Sequence, residues 1–296
     1  MQKYLFLALA GACSTVAAQT PATNPMPDGS RDMYIGIGVQ SAPRYDGASH
    51  NRTQALPVLQ VQWSNGIFIS GTTLGMHLSD SPSLEFGPLL SLAPRRDKDG
   101  LSLGVGGVSD GSNGRSNATI VRPPGGFRPG NVEAVQQEAS NRLLGMDVVE
   151  RRVVYGGFLN YYLTPKLRLA NSLSYGAGND RKGARLFSAL QYMMPEVAPH
   201  HTIVLTAGAS IANRAHTATW YGLTKDEGER TNLGHYAPGG GVQDVRAGVR
   251  WNWALSPSWM MTTGVQVNRL VGDAKASPLV ERATTVSAST ALAYRF

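Results

Sequence analysis

Apolar and polar residues alternate with a period of two along most of this chain, and the last stretch shows it most cleanly. Counting back from the end, Phe296, Tyr294, Leu292, Thr290, Ala288 and Val286 form one set. Arg295, Ala293, Ala291, Ser289, Ser287 and Thr285 form the other. One face is apolar and ends in two rings, while the other is small and polar and ends in a cation. That alternation predicts a β-strand with its greasy side facing one way. A terminal Phe with Tyr two residues earlier suits a transmembrane strand whose aromatic girdle lies at the membrane interface. Such a closing strand must pair with the first, because an open sheet edge is not sustained in lipid.

The same pattern predicts strands at 33–40, 52–63, 67–78, 84–93, 151–163, 166–176, 185–194, 201–211, 243–255, 258–270 and 284–296. A barrel with both ends on one side needs an even count. A strand at 101–108 is the expected twelfth, and ten is the alternative if two of the weaker N-terminal strands are not separate spans. Ser64-Asn65-Gly66, Thr164-Pro165, the segment 195–200 and Ser256-Pro257 make short connections, and Asn-Gly between such runs is a strong hairpin signal. The opposite connections, 177–184, 212–242 and 271–283, are long. Short turns on one side and long loops on the other predict an all-β, antiparallel outer-membrane barrel with the short side in the periplasm.

The run from Val245 separates the two faces. Val245, Ala247, Val249, Trp251, Trp253 and Leu255 are expected toward lipid, and Arg246, Gly248, Arg250 and Asn252 toward the lumen. An arginine at the hydrocarbon midplane costs about 2–4 kcal/mol, which assigns Arg246 and Arg250 inward. Arg168 and Arg295 are read as lumenal too. These cations have two readings: they bridge to acids in a filled barrel, or they line an anion-preferring passage. The filled or loop-occluded lumen is preferred.

Residues 94–150 break the alternation. Their Gly-, Ser-, Asn- and Pro-rich middle, 106–130, predicts irregular structure, and 132–144 has the composition of a helix ending before a Gly145 cap. At the N-terminus, Lys3, an apolar run and Val16-Ala17-Ala18 predict a cleaved secretory signal over 1–18. A mobile periplasmic lead-in is expected over 19–32, and the barrel over 33–296. Cys13, the single cysteine, falls within the signal, so the mature chain forms no disulfide; its surroundings lack the Leu of a lipidation box.

Composition changes this picture little. A mean hydropathy of -0.17 in a chain of 296 residues fits a protein that carries its membrane signal in alternation. No apolar run after the N-terminus is long enough for a transmembrane helix. The net charge of +7 is scattered arginine without a basic tract, which argues against nucleic acid. Outer-membrane lipid and lipopolysaccharide, cell-wall polymer or an anionic solute suit it better.

Candidate chemistry is sparse. The six histidines, His50, His77, His200, His201, His216 and His235, show no metal-ligand spacing. Asp99, Asp110 and Asn113 do not make a calcium loop. Ser210 and His216 are close in sequence and Ser277 lies on a neighbouring loop, but no pattern orients a base against a nucleophile. No metal, cofactor or catalytic activity is therefore expected, and a lipid-modifying barrel enzyme is the most distant reading.

Several fragments in order resemble one family. They are Gly36-Ile37-Gly38 with Pro43, Tyr45, Asp46 and Gly47; Gly87-Pro88 with Arg95-Arg96; Trp220-Tyr221-Gly222-Leu223-Thr224; Tyr236-Ala237-Pro238-Gly239-Gly240; Arg269-Leu270-Val271-Gly272-Asp273-Ala274; Ser277-Pro278-Leu279-Val280; and Tyr294-Arg295-Phe296. Together they resemble the family of the MltA-interacting protein MipA and the outer-membrane protein OmpV. The resemblance implies an outer-membrane barrel without a known reaction, its C-terminal Tyr294 and Phe296 read by the barrel-assembly machinery. It further implies a scaffold joining a murein lytic transglycosylase to a murein synthase, or a surface-interaction protein; a small-solute, anion-preferring channel is the alternative. With the C-terminus periplasmic, Trp220, Tyr221, Asp273 and Ser277 face away from any periplasmic enzyme and read as loop-packing devices. Pro278 and Gly239-Gly240 are expected to fix turns, and Asp273 to pair with Arg269 or cap loop backbone.

Overall fold

The computed structural model describes residues 31–79, 81, 83–102 and 141–296. The signal, the lead-in up to residue 30, and most of the insert, including Asp110, Asn113, strand positions 103–108 and helix positions 132–140, lie outside the described residues. The elements are β1 (Arg31–Pro43), β2 (Asn51–Trp63), β3 (Ile67–Ser70), β4 (Thr73–Met76), β5 (Leu84–Ala93), β6 (Arg96–Asp97), β7 (Gly100–Leu101), β8 (Arg152–Thr164), β9 (Leu167–Ala177), β10 (Gly183–Ala198), β11 (His201–Ala212), α1 (Arg214–Tyr221), α2 (Lys225–Thr231), β12 (Gly241–Ala254), β13 (Trp259–Leu270), α3 (Gly272–Ala276) and β14 (Thr284–Arg295).

All but β6 and β7 form one closed antiparallel barrel, in the order β1-β14-β13-β12-β11-β10-β9-β8-β5-β4-β3-β2. That is twelve strands, reached by a different route from the one the sequence suggests. The run 67–78 is not one span. It turns back at Gly71, which has φ +57, to give the two four-residue strands β3 and β4. Leu101, expected to open a wall strand, instead belongs to the two-stranded β6–β7 hairpin outside the barrel. Residues 142–145 form turns rather than the end of a helix. β1 starts at Arg31 and runs through Pro43, longer at both ends than its alternation indicated.

The first and last strands meet in register, with Tyr34 opposite Arg295 and Ser41 opposite Ala288. This seam leaves no edge there, as a spanning sheet requires. Ile35, Ile37, Val39, Leu173, Leu190, Val249, Val265 and Val286 stand exposed on the outer surface. Such a belt on a soluble protein would be far larger than normal exposed patches; around a barrel it is the lipid-facing band of the outer-membrane type. Aromatic rings gather near both rims. At the short-turn end Trp259, Tyr294 and Phe296 pack edge to face at 5.1 and 4.9 Å, and His201 stacks on Trp251 and Trp253. Near the loop end Tyr155 lies 5.6 Å from Tyr175.

Candidate functional site: a lumen with a cap and a floor

The long loops do not wave independently. Tyr45, Ala48, Leu143, Leu223 and Leu279, from four separate connections, share one buried cluster, and Tyr221, Leu270 and Ala274 make a second. Polar contacts tie the same loops together. The Tyr45 hydroxyl donates to the Leu279 carbonyl at 3.1 Å and to Glu281 at 2.9 Å. Ser49 also donates to Glu281, through its backbone N–H and its hydroxyl. The Ser277 hydroxyl donates to the Tyr221 carbonyl at 2.6 Å. Arg142 donates to the Pro278 carbonyl. Arg96 donates to the Trp220 carbonyl at 2.8 Å, and its guanidinium lies 5.9 Å from the Trp220 ring centre.

The two helices of the β11–β12 loop are locally specified. Asn213 caps α1 by accepting from the His216 N–H at 2.9 Å. Thr224 and Glu227 make a reciprocal capping box at the start of α2, the pattern Thr-x-x-Glu that marks such a start in sequence. Gly222 ends α1 and donates to the Ala218 carbonyl at 2.9 Å. Gly47, at φ +97, accepts from the N–H groups of Glu281 and Arg282, and a Cβ there would meet Val280 at 2.8 Å. Asp273 does not pair with Arg269. Its carboxylate accepts from the Gly239 N–H at 2.6 Å, and its carbonyl accepts from the Tyr236 hydroxyl at 2.8 Å.

Thus Pro43, Tyr45 and Gly47, Trp220, Tyr221 and Gly222, and Asp273, Ser277 and Pro278 all lie in or beside one cap over the loop end of the barrel. Burial, with Glu281 beside it, pushes the Tyr45 phenol up. Burial would also raise the Glu281 carboxyl, but hydrogen bonds from Ser49 and Tyr45 hold it below its ordinary value.

Beneath the cap lies a polar cluster around the buried Tyr221, Gln243 and Asp244. The Tyr221 hydroxyl donates to Asp46 at 3.3 Å and accepts from Gln243 at 3.0 Å. Burial pushes the Asp46 carboxyl up despite Arg185 nearby. Asp244 accepts from Arg185 at 3.0 Å, Arg246 at 2.6 Å and the Ser210 hydroxyl at 3.2 Å. The Arg246 guanidinium also sits 4.8 Å over the Phe187 ring. His216, buried in α1, has no partner for Nδ1 among the described residues, and burial drives its imidazole down to about 3. Ser210 thus serves Asp244 rather than His216, so the pair is not arranged as nucleophile and base. No cluster of metal-ligating side chains occurs among the described residues.

The lower lumen is filled. Glu85 is met by His77 at 2.9 Å, Asn160 at 2.8 Å, Tyr162 at 3.2 Å and Arg168 at 4.0 Å. Arg168 also donates to Gln191 at 2.8 Å and to Tyr162 at 3.2 Å. Phe68, His77 and Phe158 pack ring on ring beside this network. Leu56, Val58 and Ala293 fill the opposite wall with Tyr34 and Met260. Arg250 lies in the inward register between Arg246 and Asn252, and Arg295 pairs with Asp32 at 2.6 Å at the short-turn rim. Between cap and floor remains a cavity of about 310 Å³, lined by polar side chains of both the loops and the wall.

Sequence reasoning passed over Glu85, Gln243, Asp244 and Glu281, and weighed His77 only as a metal ligand. Asp244 had a signal, since it stands two residues before Arg246 and so shares its inward face.

A model of the family described as MltA-interacting protein MipA matches residues 35–296. The chain belongs to the MipA family. No curated protein matches the sequence. Solved structures with a similar course include the KdgM porin, at 10% identity and a TM-score of 0.42 over 89% of this chain and 99% of that one. An outer-membrane channel from Pseudomonas putida F1 follows at 11% identity and a TM-score of 0.41, over 92% and 97% of the two chains. A bacterial polysaccharide outer membrane secretin matches at 9% identity and 0.42, over 89% and 98%. Likenesses this distant carry none of those proteins' transport properties to this chain.

Proposed function

We propose that this MipA-family chain resides in the outer membrane as a barrel closed to free solute flow, and that it holds a protein partner at its short-turn side. The observation that carries the reading is that side chains crowd the lumen at two levels, around Tyr45, Tyr221 and Leu279 above and around Glu85 and Arg168 below. Arg168, Arg185 and Arg246 are engaged by acids and amides, which argues against a free cationic lining at those positions. The partner class suggested by the family description is a murein lytic transglycosylase, with a murein synthase recruited beside it. Such enzymes would meet the turns at 64–66, 164–166, 199–200 and 255–258. The cap would face outward, toward lipopolysaccharide. No catalytic role is assigned.

Two measurements test this. In planar bilayers the purified chain should give no stable conductance steps. In intact cells, cross-linking and capture of the tagged chain should recover murein enzymes, and Gly-Ser replacement of the four turns should abolish recovery. Steady conductance whose ion preference reverses with Arg246→Glu would instead establish the small-solute channel, the second reading, which the polar cavity favours. Capture of the barrel alone would sink the platform.

A further inference from the structure

We infer that the barrel wall has a lateral window on its loop side, between β2 and β5, through which the anionic head of a membrane amphiphile reaches the lumen cavity. The inference is separate from the partner proposal and rests only on placement of the barrel in a bilayer.

Among the described residues, the window follows from the short β3–β4 hairpin. At its tip the Gly71 N–H donates to the Leu59 carbonyl of β2 at 2.8 Å, and the Leu92 N–H of β5 donates to the Thr72 carbonyl at 3.2 Å. On the β5 side this tip stands level with the end of the strand. On the β2 side, residues 51–58 continue beyond it, paired to β1 alone among the described residues. Eight residues of strand rise about 26 Å along their own axis, or about 20 Å along the normal at the usual tilt. Three interstrand steps separate β2 from β5, about 14 Å in all. Above the opening, the β6–β7 hairpin crosses to the β1 end, where the Leu101 N–H donates to the Arg44 carbonyl at 2.7 Å.

The chemistry of the frame selects the occupant. Residues of Leu59's parity, namely Thr53, Ala55 and Pro57, aim their backbone groups into the opening. Pro57 has no N–H to leave unpaired there, as befits an edge. The remaining N–H and C=O groups would be costly against acyl chain alone. Just inside, Arg44 and Arg52 line the cavity with Gln54, Thr72 and Ser91. Among the described residues, Arg52 meets the Gln54 amide, and Arg44 the carbonyls of Lys98 and Asp99. Neither has a carboxylate partner among the described residues, whereas Arg185 and Arg246 share Asp244. A phosphate or carboxylate head would take both guanidinium groups, with its apolar tail left in the leaflet. A cavity of about 310 Å³ suits a head rather than a whole lipid.

The test uses the full chain in vesicles with a photocrosslinking amino acid at Gln54, inward behind the window, or at outward Thr53 as a folded-state control. Both probes should label phosphatidylglycerol, and only the Thr53 probe should label phosphatidylcholine. The double variant R44Q/R52Q should cut Gln54 labelling tenfold or more while sparing Thr53, since each charge-assisted contact is worth roughly a factor of ten. Lipopolysaccharide in the same vesicles identifies the source: displacement of the adduct points to a lipid A phosphate, and an undiminished adduct to a phospholipid. Equal Gln54 labelling of both phospholipids, or adducts to polypeptide in place of lipid, would overturn the inference.

Discussion

The Tyr221 hydroxyl donates to Asp46 across 175 residues of chain, joining the first loop to the last residue of α1. Tyr221 is buried while Asp46 opens on the lumen cavity, so loss of the bond tells chiefly at the tyrosine's end. Tyr221→Phe keeps the ring but takes the shared hydroxyl from Asp46 and strands the buried Gln243 amide. The cap should loosen by about 1–3 kcal/mol, read as faster hydrogen exchange in α1 and the 44–50 loop with the strands unchanged.

Acid should loosen the cap as well. The folded His216 imidazole titrates near 3, below its ordinary 6.5, so the fold favours the neutral ring. That stability is complete above about 6.5 and drains as pH falls toward 3. Asp46, raised by burial, works in the opposite sense and offsets part of the loss at the acid end, while Arg185 and Asp244 face the same ring. Proteolysis of the loops should therefore accelerate between pH 6.5 and 4, and His216→Phe should flatten the profile. An unchanged profile in that variant would refute the assignment.

Gly36 sits at the seam where β1 meets β14, and a Cβ there would lie 2.2 Å from the Leu292 carbonyl oxygen. Backbone on both sides prevents retreat. Gly36→Val should block closure, visible as loss of the heat-modifiable band on gels of refolded protein, while Val39→Ala on the outer face should refold normally.

Lipid contact is testable at Val249, which is exposed at mid-strand on β12. Val249→Arg should destabilise the reconstituted barrel by about 2–4 kcal/mol. An equivalent change in detergent-free soluble form, or none in bilayers, would contradict a lipid-facing β12.

The strands were legible because alternation is local: Val245 to Leu255 declares both faces without any partner in view. The β3–β4 hairpin was not, because Ser70-Gly71-Thr72-Thr73 interrupts the alternation too briefly to break its period. The capping box at Thr224 and Glu227 was legible in principle but lay in a stretch read as loop. Family fragments marked the cap residues, yet not their assembly. Tyr45 meets Glu281 across 236 residues, and no period within the chain encodes such a meeting.

Because four connections share one core in the cap, its loops are not interchangeable parts. Surface loops on barrels ordinarily vary one at a time. Here a change in the 44–50 loop must still fit Leu279, and a change in the 271–283 loop must still fit Tyr221. If this face is the one the cell displays, antibodies and phages meet a surface that cannot drift loop by loop. Escape would require coordinated substitutions on distant parts of the chain, which makes the cap an unusually steady epitope.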